Sequence, residues 1–136
     1  MTVVLDSSAT LAWCFADERS PAAMAVLDLV VDGHAYVPAP WRYEYANGLL
    51  VAERRGRLRT QTRLALLNEF GGLDIRKDAP PRAGHWATLS ELASQHGLTI
   101  YDASYLELAM RRVLPLATFD GALARAARSS GLRVHG

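Results

Sequence analysis

The run Thr2-Val3-Val4-Leu5-Asp6-Ser7-Ser8 decides the fold class. Its apolar core carries no alternation of polar and apolar side chains. It therefore reads as a strand covered on both faces, as in a parallel sheet. Asp6 closes the run where the chain leaves that strand. The same pattern recurs far downstream in Leu116-Ala117-Thr118-Phe119-Asp120, again an apolar strand ending in an aspartate. Weaker strand signals lie at 35–37, 73–76 and 132–134.

Helical stretches separate these runs. One covers about 8–16. A second starts at Ser20-Pro21 and stops at Asp32-Gly33, and a third opens at Pro40 and reaches Arg55 before Gly56. Thr60 is expected to cap a helix ending at Gly71-Gly72. Lys77 to Pro81 reads as a loop. Further helices are predicted over 83–95, 102–112 and 121–130. Strands alternating with helices imply parallel pairing with helices over both sheet faces, an α/β architecture.

The chain has 136 residues, half of them hydrophobic and 21% charged. That suits one domain over 1–136, with enough burial to need no covalent staple. Cys14 is the only cysteine, so an internal disulfide is impossible and a thiolate zinc site is implausible. Between Trp13 and Phe15 it reads as a small buried hydrophobe, which suits a reducing compartment. No apolar run has the length of a membrane span, and the first residues lack a basic segment followed by an apolar one. The expectation is an unexported, cytoplasmic protein. The net charge is +1, and 14 of the 15 basic residues are arginine, with Lys77 the exception. A GC-rich genome accounts for that bias. Locally, arginine also suits phosphate recognition.

The acids carry the chemistry. In open parallel sheets, ligands bind beyond the carboxyl ends of the strands. Asp6 and Asp120 both stand there if their strands are neighbours. Each also suits the N-cap of a following helix, so a capping role and a site role are both open. Asp102 heads a helix whose same face carries Leu106, Ala109, Met110 and Val113, which turns it inward; an N-terminal dipole role is the alternative. Glu44 lies early in the helix from Pro40, on a face shared with Asn47, Gly48 and Val51; a solvated surface glutamate is the alternative, and the commoner one. Clustered buried carboxylates raise one another's pKa, and a divalent cation removes the conflict. An all-oxygen set without a His–Cys cluster suits Mg²⁺, or Mn²⁺ in its place, over zinc.

Four segments carry a resemblance. Val4-Leu5-Asp6-Ser7-Ser8-Ala9, Pro40-Trp41-Arg42-Tyr43-Glu44-Tyr45-Ala46-Asn47, Thr99 to Ala109 and Leu116 to Leu123 resemble, in order and across the chain, the signature blocks of PIN domains. The stand-alone length is similar to that of the VapC-type ribonuclease toxins of toxin–antitoxin pairs. The resemblance implies a three-layer sandwich with a central parallel sheet of four to five strands flanked by helices. It also implies a Mg²⁺-dependent endoribonuclease. Asp6, Glu44, Asp102 and Asp120 would form the catalytic metal site, Asp6 and Asp102 as direct ligands and Glu44 and Asp120 directly or through water. Ser7 and Thr118 match small hydroxyl residues that support such a site, and Asn47 matches a polar position one turn after Glu44. Capping or solvation explains those three equally well.

RNA needs positive charge beside an acidic site. Arg54, Arg55, Arg57, Arg59 and Arg63 form the densest cluster, and Arg111-Arg112 a second. A solvated helix end accounts for them too. His34, His85, His96 and His135 are expected at the surface or rim. Family membership would further imply a homodimer silenced by a small antitoxin, with the Trp13–Phe15 region or the Leu64-Leu67-Phe70 stripe as apolar contacts.

Two other α/β readings fit poorly. A phosphoacceptor domain needs a lysine beside its aspartates, and a dinucleotide-binding domain needs a glycine-rich turn where Asp6-Ser7-Ser8-Ala9 stands. A catalytically inactive PIN module that binds RNA or protein is the non-enzyme alternative.

Overall fold

A computed structural model describes all residues, 1–136. Five strands, Thr2–Leu5 (β1), His34–Val37 (β2), Ile75–Lys77 (β3), Leu116–Ala117 (β4) and Val134–His135 (β5), form one sheet in the order β3-β2-β1-β4-β5. Every pairing is parallel. Seven helices flank the sheet: Ser7–Ala12 (α1), Pro21–Asp32 (α2), Pro40–Arg54 (α3), Thr60–Leu66 (α4), His85–His96 (α5), Ile100–Arg112 (α6) and Gly121–Ser129 (α7). The expected α/β sandwich is the observed one.

The first run occupies the centre of the sheet. Val3, Val4 and Leu5 are essentially inaccessible, and Leu116 and Ala117 beside them are equally buried. A strand hydrogen-bonded on both edges and covered on both faces needs no polar side chain, which is why this stretch is uniformly apolar. α2 packs on β1 and β2, and α6 packs on β1 and β4. Leu5 pairs with Ala117, so the next residues, Asp6 and Thr118, emerge side by side at the carboxyl edge.

Several element ends differ from the sequence expectation. α1 stops at Ala12, because Trp13 and Cys14 turn back to the carbonyls of Thr10 and Leu11. The Trp13 indole then donates to Ala23 O at 3.0 Å and fixes the chain outside a helix. α4 ends at Leu66, well before Gly71; the chain continues in i→i+3 turns, with the Leu66 carbonyl accepting both the Glu69 N–H and the Tyr45 hydroxyl, the latter at 2.6 Å. Thr60 lies inside α4, and Arg59 holds the cap position without a side-chain bond. Lys77 belongs to β3, where it pairs with Val37, and not to a loop. α6 begins at Ile100, capped by Thr99, whose hydroxyl accepts the Asp102 N–H at 3.0 Å. Asp102 therefore sits within the first turn and does not head the helix.

Candidate active site

Asp6 follows β1 directly and is only 4% exposed. A buried carboxylate needs donors. Asp6 Oδ2 accepts from Ser8 Oγ at 2.6 Å and from Thr118 Oγ1 at 2.7 Å. Both hydroxyls are held in turn. Ser8 Oγ accepts the Phe119 N–H at 3.0 Å, and Thr118 Oγ1 accepts the Asp120 N–H at 3.0 Å. This chain of bonds clasps the ends of β1 and β4 around one carboxylate oxygen.

Asp120 is the N-cap of α7. Its Oδ1 accepts from Ala122 N at 2.9 Å and Leu123 N at 3.2 Å. Glu44 sits near the start of α3, half-buried, and its Oε1 accepts from the Tyr105 hydroxyl at 2.6 Å. Asp102, in the first turn of α6, is also half-buried, and the Thr99 hydroxyl is the side-chain donor that favours its charged form. Two helix starts and two strand ends thus bring four acids within electrostatic reach of one another: Asp120 acts on Asp6 and Asp102, and Asp6 and Asp102 act on Glu44.

Burial is the main influence on three of these groups. It pushes the Asp6 carboxyl up; Ser8 and Thr118 oppose the push and the Asp120 charge adds to it. Burial likewise raises Glu44, helped by the charges of Asp6 and Asp102 and opposed by Tyr105. Asp102 is raised by burial and then by Asp120 and Asp6. Burial and the charges of Asp6 and Glu44 hold the Tyr105 phenol far above its ordinary range, so it remains a donor.

The seven ion pairs of the molecule engage Asp17, Glu18, Glu53, Asp74, Asp78 and Glu107, and none of the four crevice acids. No three His, Cys, Asp or Glu side chains converge at ligating distance as they stand. The donors themselves are all hard carboxylate oxygens, the type that suits a cation keeping water in its shell. Mg²⁺ binds through one or two carboxylates in that manner, whereas structural zinc takes four protein ligands.

The remaining expected residues divide. Thr118 is fully engaged. Ser7 makes only marginal contacts, 3.5 Å to Asp6 Oδ1 and 3.5 Å to Glu44 Oε1. Asn47 is exposed and makes no side-chain hydrogen bond to Glu44. Arg54, Arg55 and Arg59 are exposed at the far end of α3 and just beyond it. Arg57 is occupied: it bonds Asp17 and Glu18 at 2.9 Å and stacks over Phe15. Trp13 and Phe15 are buried, so they offer no open contact surface, whereas Leu64 is exposed. His85 and His135 are half-buried, each with one enclosed, unpartnered ring nitrogen, and are not simple surface residues.

Sequence reasoning missed Ser8 and Tyr105. Ser8 stands two residues after Asp6, a spacing at which a hydroxyl can reach back. Tyr105 occupies a core position of α6, where its ring is fully buried. A tyrosine at such a position implies a partner for its hydroxyl, and that was the available signal. A groove of about 350 Å³ has walls that include Tyr43, Trp86, Leu89, Tyr101 and Ser104, and the acids lining it are Asp78 and Glu107, not the four above.

The PIN domain family model matches residues 3–129. Ribonuclease VapC3 of Pyrobaculum aerophilum is 34% identical over 128 residues, covering 91% of this chain and 93% of the relative. Among solved structures, PAE2754 from Pyrobaculum aerophilum superposes with a TM-score of 0.73 at 23% identity, over 98% of this chain and 89% of that one. FitAcB from Neisseria gonorrhoeae does so with a TM-score of 0.62 at 20% identity, over 100% and 97%. The same likeness, with a TM-score of 0.62 at 20% identity over 98% and 93%, extends to FitAB bound to an IR36 DNA fragment. The acids at the sheet edge, the strand order and the match along nearly the whole sequence agree, and this chain belongs to the PIN domain family.

Proposed function

We propose that this chain is a Mg²⁺-dependent endoribonuclease, the toxin of a toxin–antitoxin pair, acting in the cytoplasm as a single PIN domain. One observation carries the reading: four acids lie within electrostatic reach of one another, three of them pushed toward protonation, and no cationic side chain pairs with any of them. The kinship with a protein named as a VapC ribonuclease supports the choice of RNA.

Asp6 and Asp102 would hold the cation directly, with Glu44 and Asp120 binding directly or through water. The cation, when bound, makes a water more acidic and offsets phosphoryl charge. The protein's part is placement. Ser8 and Thr118 fix Asp6, Tyr105 fixes Glu44, and the α7 backbone fixes Asp120. A site carboxylate not committed to the cation takes the proton of the attacking water. The water oxygen bonds to phosphorus, the phosphorus–oxygen bond opposite it breaks, and the departing oxygen is protonated from solvent.

RNA approach draws on Arg54, Arg55 and Arg59. A small antitoxin would silence the site. Self-association to a homodimer is supported by the exposed aromatic side chains Tyr43, Trp86 and Tyr101 around the groove. The lack of three converging ligands favours one rival, a PIN module that binds without cleaving. Cleavage of a labelled single-stranded RNA, with and without chelator and with Mg²⁺ restored, tests the proposal. Activity that disappears in chelator and returns with Mg²⁺ supports it. Full cleavage in excess chelator refutes it, and intact protein that takes up no Mn²⁺ by calorimetry favours the rival.

A further inference from the structure

The hydrogen bonds of the crevice share a pattern. Asp6 uses Oδ2 for two hydroxyls, at 2.6 and 2.7 Å, and its Oδ1 meets only the Ser7 hydroxyl at 3.5 Å. Glu44 uses Oε1 for Tyr105 at 2.6 Å and the distant Ser7, and its Oε2 accepts nothing. Asp120 uses Oδ1 for two backbone N–H groups at 2.9 and 3.2 Å, and its Oδ2 accepts nothing. Three acids on three different elements are each tied down by one oxygen and left with the other.

That division matters to a cation. A carboxylate can bind through one oxygen or two. Ca²⁺ takes six to eight oxygens, often with both oxygens of a carboxylate, in flexible geometry. Mg²⁺ requires near-octahedral single-oxygen contacts and keeps several waters. An acid with one oxygen already held by short hydrogen bonds can offer only the other without losing those bonds. Charge-assisted bonds of this kind are roughly twice as strong as neutral ones.

Resting on the metal-site reading above, we propose that Ser8 and Tyr105 are positioning residues that commit Asp6 Oδ2 and Glu44 Oε1, restrict both acids to single-oxygen binding, and thereby make the crevice select Mg²⁺ or Mn²⁺ against Ca²⁺. Neither hydroxyl needs to touch the cation or the substrate. Tyr105 suits this task because its ring is 0% exposed and anchored in the core. Its hydroxyl therefore reaches Glu44 from a fixed point. Ser8 is anchored from the other side by the Phe119 N–H.

The test compares Tyr105→Phe and Ser8→Ala with the unaltered full chain by calorimetry. Each protein is titrated with Mn²⁺ alone and with Ca²⁺ alone. The unaltered protein should bind Mn²⁺ well and Ca²⁺ poorly. Each substitution should raise the Ca²⁺-to-Mn²⁺ affinity ratio about tenfold, the loss of roughly 1.4 kcal/mol of discrimination. A thermal melt without metal checks that the fold is intact. If Tyr105→Phe does not fold, Ser8→Ala decides alone. Mn²⁺ binding in the unaltered protein with unchanged ratios in the folded variants overturns the role of the hydroxyls and leaves the metal site standing. No Mn²⁺ binding in the unaltered protein overturns both.

Discussion

Thr118 Oγ1 donates to Asp6 Oδ2 at 2.7 Å across 112 residues of sequence. The bond exists because β1 and β4 are neighbours, with Leu5 opposite Ala117. It lets a carboxylate remain in a buried position at the sheet edge, but it supplies no positive charge. Asp6 is therefore satisfied as an acceptor and unsatisfied as an anion.

Asp6→Asn follows from that imbalance. The amide oxygen can still accept from Ser8 and Thr118, while the charge crowded by the neighbouring acids disappears. In metal-free buffer at neutral pH the variant should be more stable by roughly 1 kcal/mol, about 4 °C in Tm for a chain of this size. Its RNA cleavage should be lost. A melt without metal paired with a cleavage assay checks both, and a lower Tm would contradict the electrostatic account.

Asp78 behaves in the opposite sense. It is buried and bonded to Arg111 and Arg112, the latter at 2.8 Å, and Arg111 also holds the buried Glu107 at 2.6 Å. Burial works against the Asp78 charge, but the two guanidiniums win and hold its carboxyl below the ordinary 3.8. A lowered carboxyl contributes stability above its unfolded value and loses it as pH falls through the folded one. The acid limb of a urea-midpoint profile should therefore drop below about pH 4. Asp78→Asn should flatten that limb and cost roughly 2 kcal/mol at pH 7, less than a fully buried pair because both arginines are partly solvated.

Val113 closes α6 with φ 55° and is 81% exposed. A β-branched residue pays steric strain in the left-handed region, where glycine does not. Val113→Gly should stabilise the protein by about 1 kcal/mol and leave Mn²⁺ binding unchanged. Urea unfolding measures the gain; destabilisation would show that the valine side chain makes a contact of greater worth.

The arginine cluster splits by its partners. Arg57 is held by Asp17 and Glu18, so Arg57→Ala should change RNA affinity little. Reversing Arg54, Arg55 and Arg59 together to Glu should weaken RNA binding and flatten its salt dependence. α3 carries Arg54 about 15 Å from Glu44 along the helix axis, so the effect should fall on affinity more than on turnover. Binding measured at several salt concentrations discriminates the two sets.

Much of this was legible before any coordinates. Uninterrupted apolar runs at 3–5 and 116–117 disclose strands covered on both faces, and helical spacing between them implies a parallel sheet. The acids at 6 and 120 stand at strand ends and those at 44 and 102 on helix faces, positions that also suit capping or solvent, and the resemblance to PIN domains groups the four. These are local signals, carried by neighbours in sequence. The helix ends were less legible. α4 stops where Tyr45 captures the Leu66 carbonyl, and α6 starts where Thr99 accepts the Asp102 N–H. The first is a contact between separate elements that no local pattern encodes.

By itself the sequence determined the α/β class and nominated four acids as a set through their resemblance to PIN domains, because periodicity, strand termini and motif blocks are written in consecutive residues. Only the tertiary structure decided which oxygen of each acid is held and which is left, and which arginine is already paired. Those outcomes depend on hydroxyls and charges brought together from distant positions, such as Tyr105 beneath Glu44 and Arg57 against Asp17, and hydrogen bonding is settled by distance in space.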